Sequence, residues 1–170
     1  MARKTSLREF QMNFAQRLRD LSTKKTLSSK LGFQVGSENW FVDLADVSEV
    51  IPVPNLVTIP LTQDWFKGIS NVRGKLYSIA DFSQFQGATA TPISVERRVV
   101  LIHEKLMEGS GLMVSRMMGL RNPELFSPES NGIEGKSWVK ATFLDAAGAR
   151  WHELDVAALT KNTKFLEVSL

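Results

Sequence analysis

Apolar residues recur at intervals of three and four near the start of the chain, and at intervals of two beyond residue 31. Leu7, Phe10, Phe14, Leu18 and Leu21 form one narrow apolar stripe at helical spacing. Ser6-Leu7-Arg8-Glu9 ahead of it has the form of a capping box, with Ser6 as N-cap and Glu9 reaching back to its amide. The spacing predicts a helix over 6–21, followed by a linker over 22–30 rich in Ser, Thr and Lys. From Leu31 the period changes. Leu31, Phe33 and Val35 alternate with Gly32, Gln34 and Gly36, and Gly36-Ser37-Glu38-Asn39 turns the chain into a second strand over 40–44. Residues 46–51 are short and mixed, and Pro52 and Pro54 stop any regular element. Over 58–67 the pattern predicts a brief helix, capped by Thr58, with Pro60 in its first turn and Gly68 closing it. Trp65 and Phe66 would pin that helix to the core.

The stretch 68–82 is the one around which the rest of the chain is organised. Asn71 and Gly74 tolerate the positive φ of tight turns, so they mark a bend with Val72 and Arg73 at its tip. Beyond it Leu76, Ser78 and Ala80 fall on one face, and Tyr77, Ile79 and Asp81 on the other. Two readings stand for Arg73: a solvated charge on a hairpin arm, or a recognition side chain held out by a rigid turn.

Residues 84–94 read as a loop, and Val99-Val100-Leu101-Ile102, a continuous apolar run, as a central strand. Glu108-Gly109-Ser110-Gly111 turns back into Leu112-Met113-Val114, followed by Met117-Met118. Residues 119–135, with Pro123 and Pro128, read mostly as loop. A strand over 138–144, a turn at Asp145-Ala146-Ala147-Gly148 and a returning strand over 150–154 make a last hairpin. Asp155 can cap a final short helix through Leu159. Short strands separated by turns, with only brief helices, describe an all-β chain of small barrels.

Charge changes this picture at one end. The 170 residues carry +3 overall, but residues 1–30 hold eight Lys/Arg against two Asp/Glu and so carry +6, leaving −3 on the rest. An acidic body argues against a nucleic-acid reader, which would carry its basic residues on the domain beside exposed aromatics. The basic helix has three possible roles: packing on the domain, docking on a partner, or lying on an anionic membrane surface. Glu9 and Asp20 argue against a transit peptide. No apolar run reaches the roughly 18–20 residues that span a bilayer. The chain has no cysteine, which excludes a disulfide framework, a thiolate metal site and a cysteine nucleophile, and fits a reducing cytoplasm.

Candidate chemistry is sparse. His103-Glu104 and His152-Glu153 lack a second histidine four positions on, and His152 reads as a solvent-side strand residue. Asp43, Asp46 and Glu49 read as an exposed acidic edge. Gly109-Ser110-Gly111 is a turn, not a phosphate cradle, because no Lys-Ser/Thr comes after it. No nucleophile elbow or dinucleotide fingerprint occurs.

From Leu31 onward the chain resembles the CheW-like domain, the adaptor fold of bacterial chemosensory arrays. The resemblance rests on Trp40-Phe41-Val42-Asp43 with Val47-Ser48-Glu49-Val50-Ile51, on Phe66-Lys67-Gly68-Ile69-Ser70-Asn71-Val72-Arg73-Gly74, on Asp81-Phe82, and on Gly111-Leu112-Met113-Val114. Within the family, the Ser6-Leu7-Arg8-Glu9-Phe10 helix and the ending Trp151-His152-Glu153-Leu154-Asp155, Leu159 and Phe165-Leu166 are most similar to adaptors of type IV pilus twitching-motility systems. The resemblance implies two five-stranded SH3-like β-barrels over 31–170, preceded by a helix and linker over 1–30. It implies no catalytic activity and no cofactor or metal. It also implies a cytoplasmic two-component signalling role in chemotaxis, joining the tip of a methyl-accepting chemoreceptor to the regulatory domain of a CheA-type histidine kinase. Recruitment to membrane-associated arrays would go with that role, without insertion into the membrane and without nucleic acid. Carried over, Val47, Glu49, Asn71 and Arg73 fall on receptor-facing positions, and Gly68 and Gly74 on positions linked to kinase contact. The chain departs from the family at Tyr77-Ser78-Ile79-Ala80-Asp81, where a proline is frequent, and in its N-terminal helix. A flagellar chemotaxis adaptor is the alternative within the family. A small-barrel module for nucleic acid or another ligand is the alternative outside it.

Overall fold

The computed structural model describes residues 29–130 and 135–170. The helix expected over 6–21 lies outside them. Eleven strands are described: β1 (Lys30–Val35), β2 (Glu38–Asp43), β3 (Val47–Pro52), β4 (Phe66–Val72), β5 (Lys75–Asp81), β6 (Arg98–Ile102), β7 (Ser110–Val114), β8 (Arg116–Arg121), β9 (Ser127–Glu129), β10 (Val139–Leu144) and β11 (Arg150–Leu154). Three short helices accompany them among the described residues: α1 (Phe82–Phe85) after β5, and α2 (Val156–Leu159) and α3 (Thr163–Leu166) after β11.

The strands form two sheets, β3-β6-β7-β5-β4 and β8-β1-β2-β11-β10-β9. Their ladders repeat. In the first, the β4–β5 hairpin runs parallel to β7, which pairs antiparallel with β6, and β6 with β3. In the second, the β10–β11 hairpin runs parallel to β2, which pairs with β1, and β1 with β8. Strands β1 and β2 thus complete a sheet whose other members come from residues 116–154. In each parallel pair the hairpin strand leads into an aspartate that caps a helix: β5 ends on Asp81, and Asp155 follows β11. Asp81 accepts from the amides of Ser83 and Gln84, and Asp155 from that of Ala158.

The expectation of two five-stranded barrels is corrected on two points. Strand β9 pairs with β10 and makes the second sheet six-stranded. Its Pro128 is tolerated because β9 is an edge strand. Neither ladder closes among the described residues. Beyond the end of β3, Val57 meets the edge strand β4 through an isolated bridge, Val57 N to Ile69 O at 2.8 Å and Ile69 N to Val57 O at 2.9 Å. Pro52 and Pro54 lack the N–H groups that would carry β3 onward as a regular ladder.

Three apolar layers hold the sheets. Phe33, Trp40, Val42, Val100, Ile102, Leu112 and Val114 meet between them, with Trp65, Phe82, Phe85 and Phe165. Ile51, Ile79, Val99, Leu101 and Met113 fill the other face of the five-stranded sheet. Phe41, Phe126, Phe143 and Trp151 pack together on the other face of the six-stranded sheet. Strand β6 therefore buries alternate residues on both faces, as its unbroken apolar run requires. Each fully buried side chain of this size contributes about 1.5–3 kcal/mol.

Four local expectations fail. No helix forms over 58–67: Leu61 takes φ +59°, and the backbone pairs with the C-terminal tail through Gln63 N to Val168 O and Leu170 N to Leu61 O. Those long-range bonds satisfy groups that a helix would have satisfied locally. Of residues 46–51, read as mixed, 47–51 belong to β3, and the expected loop over 119–135 contains the end of β8, a 3-10 turn at Pro123–Leu125 and β9. His152 is buried, not solvent-side, with its ring 4.9 Å from Trp40 and Nδ1 3.3 Å from Thr142 Oγ1. Burial holds its pKa below 6.5.

Candidate functional site

The β4–β5 hairpin closes on two residues, Arg73 (φ +52°) and Gly74 (φ +84°). Positive φ at both central positions is the signature of a type I′ turn, whose twist matches that of paired strands. The tip is therefore Arg73-Gly74, one residue later than the Val72-Arg73 expected. Asn71 fixes it: its Oδ1 accepts the Gly74 amide at 2.8 Å.

The turn aims Arg73 across the open seam of the five-stranded sheet. Its two terminal nitrogens donate to the two carboxylate oxygens of Glu49 on β3, at 2.6 and 2.5 Å. This fork lowers the Glu49 pKa and raises that of Arg73, through the hydrogen bond first and the charge second. The Arg73 side chain is 73% exposed, so the pair adds little to stability, as is usual for surface ion pairs. What it does is orientate. Two of the five guanidinium N–H groups are used by Glu49, which leaves three on a side chain that is mostly exposed.

Beside the fork lies a cleft of about 600 Å³, walled by Ser48, Glu49, Lys75, Tyr77, His103 and Glu104. Lys75 approaches Glu104 at 3.5 Å, and Leu76 stands exposed at the rim. Glu49 and the His103-Glu104 pair were singled out from the sequence, but their meeting with Lys75 and Tyr77 was not, because three separate elements contribute them.

The six expected site residues do not form one patch. Glu49, Asn71, Arg73 and Gly74 meet at the tip, while Val47 is half-buried and packs against the core between the sheets. Gly74 lies in the turn itself, whereas Gly68 stands four residues before the end of β4 at Val72, about 13 Å from that end at strand spacing. Its role is backbone packing: an ideal Cβ there would lie 2.2 Å from the Val57 carbonyl oxygen. Gly74 has open space around it and needs only its positive φ.

The expected exposed acidic edge is also corrected. Asp43 is half-buried and takes Lys30 Nζ at 2.7 Å, and the same ammonium reaches the buried Glu153 at 2.8 Å. Burial works to lower the Lys30 pKa, but these two carboxylates outweigh it and leave it raised. Burial, followed by repulsion from Asp43 and Asp155, raises the pKa of Asp46. Glu49 is the member of this group that faces the tip. Among the described residues no group of three or more His, Cys, Asp or Glu could hold a metal ion. His103 accepts the Lys105 amide through Nδ1 at 3.2 Å, as part of a turn.

The family profile of the CheW-like domain matches residues 30–164. The protein PilI of Pseudomonas aeruginosa is 33% identical over 147 residues, which span 84% of this chain and 80% of PilI. The crystal structure of the scaffolding protein TtCheW from Thermoanaerobacter tengcongensis matches with a TM-score of 0.68 at 18% identity, covering 81% of this chain and 94% of that one. The last of these is a likeness of fold.

Proposed function

The chain belongs to the CheW-like domain family, and on that premise we propose that it is a non-enzymatic adaptor in a type IV pilus chemosensory system for twitching motility. It couples the cytoplasmic tip of a methyl-accepting chemoreceptor to the regulatory domain of a CheA-type histidine kinase. It works in the cytoplasm at membrane-associated receptor arrays. No helix among the described residues is long and apolar enough to cross a membrane. The 33% identity to PilI over most of both chains supports the pilus branch over a flagellar one.

The observation that carries the reading is the Arg73–Glu49 fork at an exposed, rigid tip. A guanidinium already held by one carboxylate keeps its remaining donors pre-oriented, so a partner does not have to order a free arginine side chain. Backbone carbonyls or a carboxylate at the end of a receptor's helical hairpin would suit those donors. Val47, Glu49, Asn71 and Arg73 are assigned to this contact. Gly68 and Gly74 are assigned to the kinase contact, each shaping backbone.

Co-purification tests the assignment. Arg73→Ala should weaken receptor-tip capture by tenfold or more, about 1.4 kcal/mol or above. Its melting temperature should stay within a few degrees of the parent, since only an exposed ion pair is lost. Undiminished capture would refute the role of Arg73. Recovery of a flagellar receptor and kinase would move the protein to the flagellar branch.

A further inference from the structure

An apolar groove separates the β4–β5 hairpin from the C-terminal tail. It holds about 350 Å³ and is lined chiefly by Phe66, Ile69, Ala80, Met107, Phe165 and Val168. Ile59 and Leu166 form its rim, 38% and 51% exposed, and the nearby Leu61 and Leu170 also face solvent. An apolar surface of this kind, left open beside a packed core, calls for an occupant.

We propose that the occupant is residues 7–21 of the same chain, seated through the stripe Leu7, Phe10, Phe14, Leu18 and Leu21. Three observations select it over other partners. The first is chemical fit. The stripe repeats at the three-and-four spacing of a helix that is apolar on one side only, and such a segment needs an apolar surface to cover it.

The second is charge. Asp64, Glu108 and Glu167 each adjoin a groove residue in sequence, are exposed, and form no ion pair with any described residue. The neighbouring Lys67 and Lys164 have their ammonium groups on the carbonyls of Asp64 and Phe85. Arg8, Arg17, Arg19, Lys24 and Lys25 supply the complement from the other side.

The third is reach. Lys30 lies opposite Asp43 in the β1–β2 ladder, Asp46 O takes the amide of His103, and His103 O takes that of Met107. The start of β1 and the groove are thus joined by a short relay of contacts. Residues 22–29 span up to about 28 Å when extended, which covers that path. Tethering places the stripe at an effective concentration in the millimolar range, well above that of free partners. Docking of this kind does not depend on which receptor or kinase the protein serves.

Because the chain has no cysteine, an introduced pair reports unambiguously. In the full chain, Phe14→Cys with Leu166→Cys should form an intramolecular disulfide under mild oxidation, at a rate independent of protein concentration. The control pair, Gln16→Cys with Leu166→Cys, places the first thiol on the opposite side of the predicted helix and should react at least about tenfold more slowly. Phe10→Asp with Phe14→Asp should accelerate amide hydrogen exchange at Gln63 and Leu170, whose amides bond to the carbonyls of Val168 and Leu61 beside the groove. Equal rates for the two cysteine pairs would overturn the proposal. So would cross-linked dimers alone, which would put a second copy in the groove. Slow cross-linking together with Phe10- and Phe14-dependent retention on phosphatidylglycerol vesicles would overturn it in favour of a membrane surface.

Discussion

At matching places in the two ladders, the five-stranded sheet has Gly111 and the six-stranded sheet has Phe41. Gly111 sits beside Ile79 in the parallel pair that ends at Asp81. Phe41 sits beside Glu153 in the parallel pair that ends at Leu154, next to Asp155. A Cβ on Gly111 would come within 2.7 Å of Val99 Cγ1 and 3.0 Å of Ile79 Cδ1, so aliphatic side chains have closed over the glycine. Phe41 instead centres an aromatic cluster, with ring centroids of Phe126 and Phe143 at 5.4 Å and Trp151 at 5.9 Å. The Arg121 guanidinium covers Trp151 at 5.0 Å. One strand topology thus admits two interiors, because a ladder fixes backbone spacing and leaves volume to be filled by any complementary set.

The hairpins differ in the same way. The β10–β11 hairpin is flanked by β9, whose Glu129 takes Arg150 in a fork at 2.7 and 2.8 Å. No strand of that kind flanks β4 among the described residues. The partner of Arg73 comes instead from β3, across the open seam, and the tip is left standing in solvent. Among the described residues β4 is thus an edge strand of its sheet, whereas β10 is covered by β9.

The sharpest way to break the comparison is to exchange the two solutions. Phe41→Ala should cost about 3–5 kcal/mol, since the rings around it cannot collapse into the space. Gly111→Ala should cost about 1–3 kcal/mol through overpacking against Val99 and Ile79. Urea unfolding measures both, and a neutral Gly111→Ala would show that the aliphatic interior is loosely filled.

The helix caps offer the next contrast. Asp81 is buried, and besides its two cap bonds it takes Thr91 N and Thr91 Oγ1, both at 2.8 Å. Asp81→Ala strands these donors and should cost about 3 kcal/mol. Asp155 accepts one amide, at 2.9 Å, so Asp155→Ala should cost about 1 kcal/mol. Equal losses would mean that Thr91 finds other partners.

The smallest effect is a pH dependence confined to the six-stranded sheet. The folded pKa of His152 lies below its unfolded value of 6.5, so in that interval the unfolded chain binds a proton that the folded chain does not. Stability should therefore fall as pH drops below 6.5. His152→Gln should flatten that slope between pH 7.5 and 5.5 in denaturant titrations. An unchanged slope would assign it to other groups.

The sequence by itself determined the strands whose burial is decided locally. Alternation in 31–35 and the unbroken run 99–102 marked β1 and β6, and Asp155 marked the start of α2. It also placed Asn71, Arg73 and Gly74 in a turn, and it carried enough of the family pattern to assign the family. Side-chain period, φ tolerance and capping act within a few residues, so they can be read along the chain. Only the tertiary structure decided the rest. Residues 58–67 carry a helix-like capping pattern, but they pair with a tail a hundred residues away. Ser127-Pro128-Glu129 has no strand pattern and is a strand because β10 offers an edge. His152 is buried because Trp40 crosses beside it, and Glu49 belongs to the tip because the sheet curls until β3 faces β4. Each of these outcomes depends on a partner distant in sequence, and no local preference encodes which distant group will arrive.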